Sequence, residues 1–279
     1  MGKLIIKLLD WVLKRITEDS ALTSDELCIT PEQLGFVDDL WGYFALVGIG
    51  FTLIYFLLEV NRKYAFESTD LTIKTFAVPF IKLVAAIVVL GNAKTIVHSL
   101  VDMGNSFIKD MDNYNPGKEA IVDLKDTLNA VMGKASFMLA LLLILPSIGC
   151  WIITIVCQLV WKYKAIGYKI ELLFRVGISP IALADIYSGQ NSQAIKWCKG
   201  LLATVLYGAS FILVVKLGNA LAISEITKNI SAFNDVKAEK DSIKAVWDLF
   251  TAMLGFLIVP IAEIGCISAI RQALKEALA

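Results

Sequence analysis

Long apolar stretches, separated by short charged ones, make up most of this chain. The longest apolar stretch runs from Ala135 to Trp161 and contains no charged residue, with Lys134 before it and Lys162 after it. About 20 apolar residues in helical form cross the hydrocarbon core of a bilayer. The pattern therefore predicts a helix that spans a membrane here, with length to spare.

The same pattern predicts about five membrane spans, at residues 40–58, 76–93, 135–161, 200–223 and 249–270. Only helices and closed barrels satisfy every backbone polar group in lipid, and these stretches lack the alternation of a barrel strand. We therefore predict an all-α, polytopic membrane protein. The second stretch holds Pro79 and Lys82, which leaves open whether it crosses as a kinked helix or enters and turns back.

Residues 1–39 differ in pattern from the membrane domain predicted at 40–279. Apolar side chains between Leu4 and Ile16 fall on one side of a helix and most charged ones on the other, which predicts an amphipathic helix in the membrane interface. An acidic connection follows, and Thr30, Pro31 and Glu32 mark the start of the next helix. Residues 94–134 and 224–248 read as polar connections between spans.

Composition supports a membrane protein and narrows its chemistry. Hydrophobic residues make up 57% of the 279 residues and charged residues 19%, where soluble chains carry about a quarter. The formal net charge is zero, so bulk charge gives no case for nucleic-acid binding. The five cysteines are odd in number and do not form a disulfide framework. No catalytic or metal-binding motif is present, so we expect neither an enzyme nor a cofactor.

Three ionisable residues lie inside predicted spans: Lys82, Lys216 and Glu263. A charge at the bilayer centre costs at least about 2.5–3.5 kcal/mol, so such residues line a polar path, pair between helices or extend to the interface. The lysines, with long side chains, suit the last role. Glu263 is shorter and near mid-span, so we expect it to be buried against a partner, with Lys216 as one candidate.

The apolar segment 176–189 is too short to cross a membrane and is interrupted by polar, glycine and proline residues. The interrupting residues are Gly177, Pro180, Asp185 and Gly189. Six basic residues lie in or beside this region: Lys162, Lys164, Lys169, Arg175, Lys196 and Lys199. They either set the topology by the positive-inside rule, which would place 162–199 in the cytoplasm, or contact phosphates or an acidic partner.

The stretch FRVGISPIALADIYSG, followed by QNSQAIKWCKGLLATVLYGASFILVV, resembles the core of the TrbL/VirB-type polytopic membrane subunit of conjugative type IV secretion systems. The shared features over residues 135–223 are a long apolar helix, a segment with a central proline, a small polar turn and a helix with a tryptophan and a lysine. Here these would be Pro180, Ser188-Gly189, Trp197 and Lys199. The lack of large soluble domains resembles compact forms from Gram-positive mobile elements.

The resemblance implies a channel or scaffold subunit in the cytoplasmic membrane. Its partners would be membrane lipid, further copies of itself in a ring, a transfer ATPase and other secretion-system membrane subunits. The substrate moved would be single-stranded DNA attached to a relaxase. With five spans and 162–199 in the cytoplasm, the N-terminus would lie outside and the C-terminus inside.

Another class of protein also fits part of the pattern. A secondary transporter of a small solute would use the interrupted segment near Gly177 and Pro180 and the intramembrane lysine and glutamate as its site. The few spans and the lack of an inverted repeat argue against it. Small residues at several span positions permit close helix approach and favour a homo-oligomer. They are Gly48, Gly50, Ala85, Ala86, Gly208, Ala209 and Gly255.

Overall fold

The structure is a computed structural model that describes residues 7–8, 10–11, 23–66, 73–113, 137–188, 192–235 and 242–278. Within those ranges some side chains also lie outside the description, chiefly at 73–76, 137–143, 187–188, 225–235 and 242–250. Most of the predicted N-terminal amphipathic helix, residues 17–22 of the acidic connection and residues 114–134 of the first predicted polar connection fall outside the described residues.

Every described element is a helix. The short helix α1 is Ser24–Leu27, and the long helices α2 and α3 are Pro31–Phe66 and Ile73–Asn113. The next long helix, α4, is Phe137–Gly177, followed by the short α5, Ser179–Leu183, and the 3₁₀ helix Ala184–Ser188. Two further long helices, α6 and α7, are Gln193–Asp235 and Ser242–Leu278.

Four described segments are long and apolar enough to cross a membrane: Ser24–Lys63, Ala77–Asn113, Ile144–Gly177 and Gln193–Leu221. Large apolar side chains such as Tyr43, Leu46 and Leu57 are exposed on α2, as expected of a surface that faces lipid. The predicted fold class, a helical membrane protein, is confirmed. The fifth predicted span, 249–270, lies within α7, where part of the side chains are outside the description.

The helices extend well beyond the apolar stretches that predicted them. Helix α3 continues to Asn113 and α6 to Asp235, so residues 94–113 and 224–235 are helical rather than polar connections. Residues 242–248 are likewise helical, in α7. Polar residues in these extensions find partners: Asp38 of α2 binds Lys94 and His98 of α3, each at 3.0 Å. The region around Pro79 belongs to the one continuous helix α3 and does not turn back within it.

The predicted start of α2 is confirmed at Pro31. The Gln33 backbone N–H donates to the Thr30 hydroxyl at 3.4 Å, and the Thr30 N–H donates to the Gln33 side-chain oxygen at 3.1 Å. This reciprocal pair is a capping box, which satisfies two backbone donors at the helix start. Pro31 fits the first helical position because its missing N–H has no partner to lose there.

The chain divides into two compact units. The first comprises Met1–Leu27, Ile108–Ile166 and Ala209–Ile270. The second comprises Cys28–Phe107, Gly167–Gly208 and Arg271–Ala279. The interrupted segment and the ends of α4 and α7 belong to the second unit, whereas Lys216 and Glu263 belong to the first.

Candidate functional site

The interrupted segment is a real break between two membrane helices. Helix α4 ends at Gly177, Ile178 is a turn residue, and α5 begins at once with Pro180 in its first turn. The Ile178 N–H still donates to the Phe174 carbonyl at 3.1 Å, and the Ala182 N–H donates to the Ile178 carbonyl at 3.1 Å. Because these bonds bridge the turn, the chain passes from α4 to α5 with both the N–H and the carbonyl of Ile178 hydrogen-bonded.

Helix α2 packs directly against this break. A Cβ placed on Gly48 would lie 2.5 Å from the carbonyl oxygen of Pro180, so only glycine allows this approach. The Trp41 indole N–H donates to the Ser179 hydroxyl at 3.2 Å. The Thr52 hydroxyl lies 2.9 Å from the Gly48 carbonyl and 3.5 Å from the Ala184 carbonyl. The polar groups of the break are therefore covered by one face of α2.

The break also packs against α3 and the start of α6. Leu183 and Ala194 form one buried cluster with Leu90 and Ala93 of α3, and Trp41, Ile186 and Trp197 pack around it. Asp185 accepts a 2.7 Å hydrogen bond from the backbone N–H of Gln193, which satisfies a donor at the start of α6. Of the four residues that mark the interruption, Gly189 lies outside the described residues. The other three are held in a packed joint, not in an open groove.

The six basic residues predicted near the break are divided between the two compact units. In the first unit, Lys162 pairs with Glu26 at 3.3 Å and Lys164 donates to the Ser268 hydroxyl. In the second unit, Arg175 pairs with Glu171 at 3.2 Å. Lys196 and Lys199 are exposed on the first turns of α6, and Lys169 is half-buried.

Two basic residues that the sequence analysis did not single out join Arg175. Glu171 accepts from Arg271 of α7 as well, and Lys275 lies 3.8 Å from the same carboxylate. The Arg271 guanidinium also lies over the Tyr207 ring, 5.8 Å from its centre. The four-residue spacing of Glu171 and Arg175 predicts an ion pair on one face of a helix. That α7 ends beside this pair follows only from the folded structure.

The intramembrane lysines both have acidic partners. Lys82 pairs with Glu59 of α2 at 3.1 Å, and both side chains are partly exposed. Lys216 is 9% exposed and lies 3.2 Å from the Asp112 carboxylate and 3.1 Å from its backbone carbonyl. Asp112 also accepts from the Ser24 backbone N–H at 2.9 Å. Lys216 is thus a buried ion-pair residue that joins α6 to the end of α3.

The candidate pairing of Glu263 with Lys216 is wrong. Glu263 is 3% exposed, as expected, but the lysine is engaged by Asp112 instead. Neither Glu263 oxygen has a hydrogen-bond partner among the residues that the structure describes. The pairing failed because Asp112 lies in a stretch that hydropathy alone assigned to a connection rather than to a helix.

No protein-family model, curated protein or solved structure matches this chain.

Proposed function

We propose that the chain is a membrane channel or scaffold subunit of a conjugative type IV secretion system. The observation that carries the proposal is the order of elements from α4 to α6: a long apolar helix, a break with Pro180 in its first turn, and a second long helix that begins near Trp197. This order agrees with the resemblance described above. In this function the protein helps to move single-stranded DNA, attached to a relaxase, across the cytoplasmic membrane.

The packing of the break supports a scaffold role. Gly48, Trp41 and Thr52 of α2 hold the joint between α4 and α6 through its backbone and side-chain polar groups. A joint fixed in this way presents a constant surface to other subunits. We propose that those subunits are further copies of this chain, a transfer ATPase and other membrane subunits of the system.

We further propose an orientation in the cytoplasmic membrane. In it, residues 162–199 lie on the cytoplasmic side, the N-terminus outside and the C-terminus inside. The 3.3 Å pair of Lys162 with Glu26, which precedes the first span, counts against this arrangement. The contact of Arg271 and Lys275 with Glu171 supports this, because it joins the end of α7 to the region that is rich in basic residues. Basic residues near span ends favour the cytoplasm.

A small-solute transporter is the alternative. Its substrate site would be the interrupted segment, with an unwound backbone open to a ligand. Here the carbonyls of Pro180 and Ala184 lie against α2. The packing therefore favours the secretion subunit.

Deletion of the gene in a donor cell tests the proposal. We expect DNA transfer to mating partners to fall to background, and plasmid-borne wild type to restore it. A tagged copy should co-purify with the transfer ATPase from mild detergent. Transfer at the wild-type frequency in the deletion strain would overturn the proposal, and a simultaneous loss of uptake of a small solute would favour the alternative.

A further inference from the structure

The carboxyl group of Glu263 is the most deeply buried acid in the described part of the first unit. The side chain lies on α7 within the predicted span 249–270 and is 3% exposed. Both oxygens are buried without a hydrogen-bond partner among the described residues. An isolated carboxylate in such a place is costly enough that the group takes up a proton instead of staying charged.

Gly218 of α6 makes the room for this carboxyl group. A Cβ placed on Gly218 would lie 2.6 Å from both Cδ and Cγ of Glu263, closer than any real contact allows. Residue 218 must therefore lack a side chain for the acid to lie where it does. Gly265, two residues beyond Glu263 on α7, gives a contrast, because a Cβ added there would meet no atom within 4 Å.

Among the residues that the structure describes, the titratable groups near Glu263 supply no counter-charge. On α6, Lys216 lies two residues before Gly218, but its ammonium group binds the side chain and backbone of Asp112. On α4, the Cys157 thiol is close enough to interact electrostatically with Glu263, and a thiol carries no positive charge. The described neighbours of the acid are therefore Gly218, which has no side chain, and a neutral thiol.

We propose that Glu263 is a proton-binding site inside the membrane domain, held as the neutral carboxylic acid on the seat formed by Gly218. Its ligand is the proton. The inference rests on burial and on the contact with Gly218, and it does not depend on the secretion function proposed above.

A neutral acid in an apolar site has a characteristic reaction with an apolar carbodiimide. The carboxyl O–H adds across one C=N bond of dicyclohexylcarbodiimide, which gives an O-acylisourea. The acyl group then migrates from oxygen to nitrogen and leaves a stable N-acylurea. No group departs, so the side chain gains the whole mass of the reagent, and no oxidant or reductant is needed.

The experiment treats the full-length protein in detergent or native membranes at pH 7 with dicyclohexylcarbodiimide and locates the adduct by peptide mass spectrometry. An exposed glutamate with a pKa of about 4.3 holds a proton in only about one molecule in 500 at pH 7. We therefore expect about a hundredfold more adduct on Glu263 than on Glu59 or Glu171, which form ion pairs. A charged, water-soluble carbodiimide should leave Glu263 unmodified.

Three variants complete the experiment. Gly218→Ala should strongly reduce the adduct by displacing the acid, whereas Gly265→Ala should keep it at the wild-type level. Glu263→Gln should abolish this adduct and leave the protein folded, since the amide has nearly the same shape. Absence of the Glu263 adduct from folded wild type, or equal modification by the water-soluble reagent, would overturn the proposal.

Discussion

Two ion pairs of this protein differ in how deeply their side chains are buried. Lys82 and Glu59 form a pair with both side chains partly exposed, whereas Lys216 is almost wholly buried against Asp112. Exposed pairs contribute about 0–1 kcal/mol. Removal of one partner from a buried pair leaves an uncompensated charge, which costs about 3–5 kcal/mol.

Asp112→Asn should therefore lower thermal stability in detergent far more than Glu59→Gln. Because Asp112 is itself 22% exposed at the side chain, the loss should fall toward the lower end of the range for buried pairs, about 3 kcal/mol. Glu59→Gln should cost about 1 kcal/mol or less. The check is a comparison of unfolding temperatures of the two purified variants, and equal values would contradict the buried role of the Asp112 pair.

Sequence reasoning found the unusual residues but could not find their partners. Lys216 and Glu263 stand out because charges are rare in apolar stretches, and both are in fact buried. Which acid meets Lys216 depends on which helices cross, and that is a property of the folded chain. The contact between Glu263 and Gly218 could likewise not be predicted from the sequence, since a glycine within an apolar stretch can serve many structural roles.

At the scale of helices, the contact between α2 and the break depends on one missing side chain. Gly48→Ala would place a Cβ 2.5 Å from the Pro180 carbonyl oxygen. Helix α2 or α5 must then shift, which should lower the free energy of unfolding by about 1–3 kcal/mol. Gly50→Ala is the matched control, because its Cβ would meet no atom within 4 Å. That change should be neutral or stabilise α2 by up to about 1 kcal/mol.

Unfolding temperatures of these two glycine variants in the same detergent provide the measurement. We expect a fall for Gly48→Ala and no fall for Gly50→Ala. Two equal shifts would mean that helix propensity, not the contact with Pro180, decides both results.

A second prediction concerns the end of α7. Glu171 is the acidic residue that Arg271 and Lys275 contact, so Glu171→Gln should release the last turns of that helix. Trypsin, which cuts after arginine and lysine, should then cleave at these positions several times faster. Glu276→Gln is the control, because Glu276 accepts from Gln272 within the same helix. Unchanged cleavage of the Glu171 variant would show that other contacts hold α7 in place.

Hydropathy predicted the cores of the membrane helices well and their ends poorly. The break at Gly177 and Pro180 was readable because glycine and proline have strong backbone preferences. The extension of α3 to Asn113 was not, since it carries polar residues such as Asn105, whose amide bonds the backbone of Ile29. A tertiary partner of this kind makes a polar stretch helical, and it lies 76 residues away in sequence.

At the scale of the whole molecule, orientation is the property to test. In a chain with its native cysteines replaced, Lys196→Cys should resist a membrane-impermeant thiol reagent on intact cells and react after permeabilisation, because position 196 is exposed and proposed to be cytoplasmic. Asn115→Cys, in the connection between α3 and α4, should react without permeabilisation. The reverse pattern would show that the topology is the opposite of the one proposed. Reaction at both sites from outside would show that one of the spans between them is miscounted.

The Thr52 hydroxyl has two carbonyl acceptors within reach, those of Gly48 and Ala184, and this bears on the order in which the protein assembles. Thr52 and Ala184 are separated by 132 residues, so the ribosome delivers α2 long before the segment that covers it. In that interval the hydroxyl already has the carbonyl of Gly48, one turn back in its own helix, at 2.9 Å. An unsatisfied polar group in lipid would cost several kcal/mol, and the local bond avoids that cost. Helix α2 can therefore insert into the bilayer before the segment that contains Ala184 has been synthesised. The contact between that segment and α2 then forms later, without leaving the Thr52 hydroxyl unsatisfied in the meantime.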